Sequence, residues 1–271
     1  MNEPKFIDVE KILREKRPGL AKWLPKFIIR YIKRILHQDE INAFLVEHKD
    51  KKNAAFCQEV LDYFNIKVSM ENLDRIPKNG KITIAMNHPL GGMDAIILVT
   101  ALQGHREDIK FIVNDILMNL DNMKDLFLGV NKIGKNAVST RTRIAELFKS
   151  DQAVCIFPAG LVSRKKRGKV RDLVWKKTFV TYAKEEDRTI IPLFIEGRLS
   201  NFFYRLSNFR KFIGIKANIE MLYLSNELFK QRDRHMRFVV GEPVTKELLF
   251  STEDDRALAQ DIKAMVYQLE N

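Results

Sequence analysis

The chain has 271 residues, 45% hydrophobic and 30% charged, and its 47 Lys and Arg against 35 Asp and Glu leave a formal charge of +12. Such a chain can build one large domain or two small ones around a substantial core, which excludes disordered, fibrous, low-complexity and solenoid classes. The basic excess calls for an anionic partner: nucleic acid, a membrane surface or a negatively charged small ligand.

The N-terminus lacks the apolar stretch and cleavage site of a secretory signal, so no export is expected. From Lys16 to Gln38 there are seven basic residues and no acid. At a helical period Leu20, Trp23, Leu24, Phe27, Ile28, Tyr31 and Ile35 share one arc, and Lys22, Lys26, Arg30, Lys33 and Arg34 the other. Pro18 marks the start of this basic amphipathic helix, and Pro25 kinks it or opens a second one. Its apolar face suits either the headgroup layer of an anionic membrane or the protein's own core, and periodicity alone does not separate the two. Residues 40–64 read as a further helix, which closes a helical N-terminal region at about residue 65 (1–65).

From residue 66 to 271 short β-branched runs alternate with longer amphipathic stretches. Strands are predicted at 66–70, 81–86, 109–113, 153–157, 189–195 and 236–240, and helices at 94–103, 116–128, 138–149, 172–186, 201–212 and 253–270. The expected fold class is α/β, a mixed sheet flanked by helices. The longest uncharged apolar run, 95–102, falls far short of the roughly 20 residues that cross a bilayer. Cys57 and Cys155 are too few for a disulfide framework and sit in no metal-ligand spacing, so a reducing compartment and no metal are expected. Cys155 reads as core, with no activating base.

In open α/β folds the chemistry gathers at the carboxyl ends of strands. Two strand ends are unusual here. After the strand at 81–86 comes Asn87-His88-Pro89-Leu90-Gly91-Gly92-Met93-Asp94. A carboxylate folded back onto a strand-end histidine fixes its tautomer and makes it a general base. Gly91 and Gly92 let the loop bend far enough for Asp94 to reach His88. The bland alternative is that Asp94 only caps the following helix. After the strand at 153–157 comes Phe157-Pro158-Ala159-Gly160, then eight Lys or Arg between Arg164 and Lys177 with Asp172 as the lone acid. Most of those cations read as a solvated face. Arg164, nearest the motif, is the candidate for holding an anionic group. The aromatics of 201–205 could border an acyl chain but at that spacing read more readily as core. Walker A, Gly-x-Ser-x-Gly and His-Glu-x-x-His motifs are absent, which removes support for NTPase, serine hydrolase and zincin readings.

The Asn-His-Pro loop, the Asp at the helix start, the Phe-Pro-x-Gly turn and Ile191-Pro192 through Gly197-Arg198 together resemble the phospholipid/glycerol acyltransferase superfamily. The similarity is greatest to its branch named for hemolysins, which includes bacterial lyso-ornithine-lipid and glycine-lipid O-acyltransferases, and it covers roughly residues 65–245. The resemblance implies that His88 takes the proton of an acceptor hydroxyl, that Asp94 orients His88, and that Asn87, Pro89, Gly91, Gly92 and Phe157 to Gly160 border the substrate. The acyl donor would be a thioester of coenzyme A or acyl carrier protein, with no bound cofactor. The acceptor would be a lyso-lipid hydroxyl, and the enzyme would lie peripherally on the cytoplasmic face of an anionic membrane. Lys132, Lys135 and Arg141 occupy the place of the superfamily's basic acceptor-phosphate motif. Five residues separate His88 from Asp94 where most of the superfamily has four. Ala159 stands where a Glu implicated in glycerol-phosphate binding is common, so a lyso-aminoacyl lipid is favoured as acceptor over lysophosphatidate. A non-catalytic basic module that binds lipid or nucleic acid is the rival from another class, although no nucleic-acid-binding motif is found.

Overall fold

The computed structural model describes residues 6–16, 18–130 and 137–270. The chain forms two compact units, one of residues 1–51 with 200–232 and one of residues 52–199 with 233–271. The segment 201–232, which reads from sequence as part of the α/β region, therefore packs with the N-terminal helices.

The first unit is helical among its described residues: α1 (Val9–Lys16), α2 (Pro18–Trp23), α3 (Lys26–Ile35), α4 (Gln38–Glu47), α9 (Asn201–Phe212) and α10 (Leu224–Phe229). Pro25 opens a second helix rather than kinking one. It stands at the N-cap of α3, where its missing N–H costs nothing. The helix foreseen over 40–64 is two helices, α4 here and α5 (Asn53–Phe64) in the second unit, because the polar stretch between them adds no apolar stripe. Contacts remote in sequence hold the unit together. His37 stacks on Phe229 with ring centroids 3.7 Å apart, and the Tyr31 and Tyr223 hydroxyls hydrogen-bond at 2.8 Å. Arg210 and Glu220 form a buried ion pair at 2.5 Å.

The second unit carries a seven-stranded sheet, counted over the described residues, in the order β1-β9-β8-β2-β5-β3-β4. Its strands are β1 (Lys67–Glu71), β2 (Ile82–Met86), β3 (Ile109–Asn114), β4 (Phe127–Val130), β5 (Ala153–Ile156), β8 (Thr189–Ile195) and β9 (His235–Val240). All neighbours are parallel except β8 and β9. The central strands are apolar apart from Thr83 and Thr189, as expected of strands buried on both faces. One face is covered by α8 (Thr178–Glu185) and α11 (Asp255–Gln268), which press Phe179, Val180, Leu258, Ile262 and Val266 onto Ala85, Ile190, Phe194 and Val239.

Two predicted helices are corrected. Residues 116–128 form 3-10 turns, Asp115–Asn119 and Lys124–Leu126, followed by β4. The Asp and Asn residues interleaved there favour turns over a continuous helix. The helix foreseen from 172 begins only at Thr178, because residues 164–171 form a hairpin of β6 (Arg164–Lys166) and β7 (Lys169–Arg171). Arg167 and Gly168, both with positive φ, make its two-residue turn, the geometry that suits strand twist.

At the amino-terminal end of the sheet two buried arginines tie loops together. Arg188 donates to the carbonyls of Ile82, Phe148, Ser150 and Gln152, and Arg106 to those of Pro77, Gly80 and Asp151. The carboxyl-terminal end is left for the loops that carry His88 and Phe157.

Candidate active site

Strand β2 hands over to the His88 loop through a side chain. Asn87 donates from Nδ2 to the Ile195 carbonyl at 2.8 Å and accepts the Ile195 N–H on Oδ1 at 2.7 Å. Its amide thus continues the β2–β8 ladder by one rung, a structural role beside the substrate contact expected of it. The next residue is held by its backbone. The His88 N–H donates to Asp172 Oδ1 at 3.2 Å, and its carbonyl accepts the Ser163 N–H at 2.8 Å.

The loop then turns. Gly91, with φ 74°, is the N-cap of α6 (Gly92–Ala101), and Asp94 lies in the first turn of that helix. Asp94 Oδ2 takes the Leu90 N–H at 3.0 Å and His88 Nδ1 at 2.8 Å. It thus braces the loop before the helix and orients the imidazole at once, while the N-cap is Gly91, without a side-chain cap, so the capping alternative is not what the structure shows. Asp94 is fully buried, and its Oδ1 has no hydrogen-bond partner among the described residues. Burial pushes its carboxyl above the ordinary 3.8, opposed by the hydrogen bond from His88 and by the Leu90 N–H.

His88 itself is 18% exposed, and with Nδ1 taken by Asp94, Nε2 has no partner among the described residues. One ring face is covered by Phe157, centroids 4.0 Å apart, which brings the second motif against the first. The Phe-Pro-x-Gly segment is a tight turn in which the Gly160 N–H donates to the Phe157 carbonyl at 2.9 Å and Gly160 adopts φ 66°. Pro158 is buried, its carbonyl accepting the Lys176 N–H at 3.1 Å. Ala159 is buried in the core cluster with Trp175 and Phe179.

The other expected contacts separate. Arg164 is buried in β6, donating to the Val162 carbonyl at 2.7 Å, rather than reaching from a solvated loop. Arg141 is exposed on α7 (Ala137–Lys149). Lys132 and Lys135 lie outside the described residues. Pro89 is buried beside His88, and Gly92 is exposed at the start of α6.

Asp172 is the residue that motif reading passed over. Besides the His88 N–H it accepts Ser163 Oγ at 2.5 Å and Trp175 Nε1 at 2.9 Å. Its own N–H donates to Tyr267 Oη at 2.7 Å. The carboxylate ties the Ser163 and Trp175 side chains to the backbone of the His88 loop, and the Asp172 backbone adds Tyr267. The one sequence signal of Asp172 was being the lone acid in a basic run.

No group of side chains suited to a metal ion occurs among the described residues. Both cysteines are buried, and burial pushes their thiols up, Cys57 to about 12, so neither is a nucleophile at neutral pH. What the arrangement offers is one accessible imidazole nitrogen, backed by a buried carboxylate and walled by an aromatic ring: a general base.

A family model described as acyltransferase matches residues 11–271. The lyso-glycine lipid O-acyltransferase of Bacteroides thetaiotaomicron is 41% identical over 265 residues, 97% of each chain. That of Phocaeicola vulgatus is 40% identical over 97% of this chain and 95% of its own. The crystal structure of the 1-acyl-sn-glycerophosphate acyltransferase of Thermotoga maritima superposes with a TM-score of 0.51 at 17% identity, covering 98% of this chain and 93% of that one, which establishes a shared fold. The chain belongs to the acyltransferase family.

Proposed function

We propose that this acyltransferase moves a fatty acyl group from a thioester to the hydroxyl of a lyso-lipid, with a glycine lyso-lipid as its acceptor. The observation that carries the reading is His88, locked through Nδ1 onto Asp94 and open at Nε2. With the Nδ1 proton held by the carboxylate, Nε2 accepts the proton of the acceptor hydroxyl as its oxygen attacks the thioester carbonyl. The tetrahedral intermediate collapses, the carbon–sulfur bond breaks, and the imidazolium returns its proton to the departing thiolate. The donor is a thioester of coenzyme A or acyl carrier protein. The glycine headgroup rests on the names of the two relatives at about 40% identity and on Ala159, which is turned into the core and leaves no acid at the position linked to glycerol-phosphate acceptors.

The enzyme works from the cytoplasmic surface of an anionic membrane. No helix among the described residues is long and apolar enough to cross one. The apolar arc of the N-terminal helices does not face a core throughout: Trp23 is 88% and Phe27 67% exposed, beside Lys22, Lys26 and Arg30. In the same unit α9 exposes Phe209 and, at its end, Phe212, next to Arg205 and Lys211. Exposed aromatics flanked by cations are what a helix lying in the headgroup layer requires.

A lipid mass-spectrometric profile of cells expressing the wild type beside cells expressing His88→Ala at equal levels tests the function. A diacylated lipid gained only with the wild type is expected, and its headgroup names the acceptor. Identical profiles in cells that contain the lyso-lipid would leave a non-catalytic binding module.

A further inference from the structure

Beside the His88 loop, on the side of β8 and β9, a cleft of about 700 Å³ opens at the carboxyl end of β8. Asn87 and Pro89 form part of its wall, while His88 does not line it. Its size suits a small-molecule group, and the carboxyl end of a strand in an open α/β sheet is where such groups bind.

The charges in the cleft are unequal in status. Arg171 is spent: it pairs with Glu270 at 2.5 Å and lies over the Tyr267 ring at 4.4 Å. Glu196, the other acid in the wall, is exposed, and its carboxylate has no hydrogen bond or ion pair among the described residues, so it is outnumbered three to one by the free cations of the same wall. Lys169, Arg198 and Arg234 also line the cleft, and among the described residues none of the three has a side-chain hydrogen bond or ion pair. They come from three separate places in the chain: the β6–β7 hairpin, the loop after β8 and the residue before β9. Three unpaired cations converging from separate segments on one concavity form an electrostatic trap, since low-dielectric walls concentrate their field. Two guanidinium groups add planar donors matched to carboxylate or phosphate oxygens.

We propose that this cleft binds the anionic end of one of the two substrates, a carboxylate or phosphate group held by Arg198, Arg234 and Lys169, at a position separated from the imidazole by the His88 loop. The shared chemistry has two sources, the carboxylate of a glycine-type headgroup and the phosphates of coenzyme A. The inference rests on the acyl-transfer reading only for the identity of the ligand, because binding is measured without turnover.

Isothermal titration calorimetry with coenzyme A and, separately, N-octanoylglycine, which has no hydroxyl to acylate, tests the site on the full-length protein. The wild type is compared with Arg198→Gln/Arg234→Gln and with a control of equal net charge, Lys78→Gln/Lys216→Gln, at exposed positions outside the cleft. All four side chains are exposed, so folding is not at risk. The expected result is that the cleft variant loses affinity for one probe by about tenfold for each guanidinium removed, while the control keeps it. Loss for N-octanoylglycine assigns the cleft to the acceptor headgroup, and loss for coenzyme A to the donor. Equal binding by the cleft variant and the wild type, equal loss in the control, or no binding of either probe to the wild type would overturn the site. Wild-type turnover with unchanged probe binding would sink the cleft and leave the catalytic reading standing.

Discussion

Asp94→Asn separates what the buried carboxylate does for catalysis from what it costs the fold. In the wild type one oxygen, Oδ2, serves both His88 Nδ1 and the Leu90 N–H, and the other is unpartnered in a fully buried place. Because two N–H donors converge on that point, the asparagine must turn its carbonyl oxygen toward them. The imidazole tautomer and the loop geometry are kept. What is lost is the negative charge that stabilises the imidazolium formed as the hydroxyl gives up its proton. At a charge separation of about 4 Å and an effective dielectric near 20 that attraction is about 3–4 kcal/mol, or roughly 100- to 1,000-fold in rate. Stability moves the other way. The folded carboxyl titrates above 3.8, so the folded state holds this proton more tightly than the unfolded chain does. Stability contributed by the group is therefore present at acid pH and lost as pH rises through the folded value, at about 1.4 kcal/mol for each pH unit separating the two titrations. The variant should melt at or above the wild-type temperature at pH 8, with the gap closing as pH falls toward 4. Thermal unfolding across pH, paired with turnover of thioester and lyso-lipid, reads both effects. A variant that keeps full activity, or one whose deficit in stability grows with rising pH, would refute the reasoning.

Three other perturbations probe the surroundings. A Cβ at Gly197 would lie 2.8 Å from Leu90 Cγ and Cδ2, so Gly197→Ala should displace the loop after His88, lower stability by about 1–3 kcal/mol and reduce turnover; unchanged melting and kinetics would mean Leu90 is free to yield. Asp172→Asn puts an NH2 group among the Ser163 Oγ, Trp175 Nε1 and His88 N–H donors, and a loss of about 2 kcal/mol with a fall in kcat is expected, whereas a kcat equal to wild type would remove Asp172 from the positioning of His88. Reversing Lys22, Lys26 and Arg30 to Glu should cut sedimentation with anionic vesicles at least a hundredfold in partition coefficient, at about 1 kcal/mol per charge, and retained sedimentation would refute the membrane face. Lys33 is left out of that set because it pairs with Glu10 at 2.5 Å.

Much of the site was legible in the order of residues because its chemistry is local. A His, two glycines and an Asp within eight positions after an apolar strand leave few ways to close, and the loop closes as the spacing requires. The near-continuous apolar runs of β2, β5 and β8 identified the central strands for the same reason. What stayed hidden depends on distance or on tertiary pairing. The β6–β7 hairpin has strands of three mostly charged residues, with no alternation to read. The Asn87 amide looks like a substrate donor until Ile195, 108 positions away, occupies both of its ends. The union of 200–232 with the N-terminal helices rests on pairs such as Tyr31 with Tyr223, which no periodicity encodes. Periodicity also left the N-terminal aromatics open between core and lipid, and the structure leaves Trp23 and Phe27 uncovered.

The central claim, that an imidazole backed by a buried carboxylate is the base of the acyl transfer, meets its most direct test in single-turnover kinetics of purified wild type and His88→Ala with an acyl thioester and a glycine lyso-lipid. Both proteins should fold alike, since the side chain of His88 is partly exposed and its backbone carries the hydrogen bonds to Asp172 and Ser163. The account expects ester formation by the wild type and a loss of at least about 100-fold in the variant. Equal rates from the two folded proteins would contradict it.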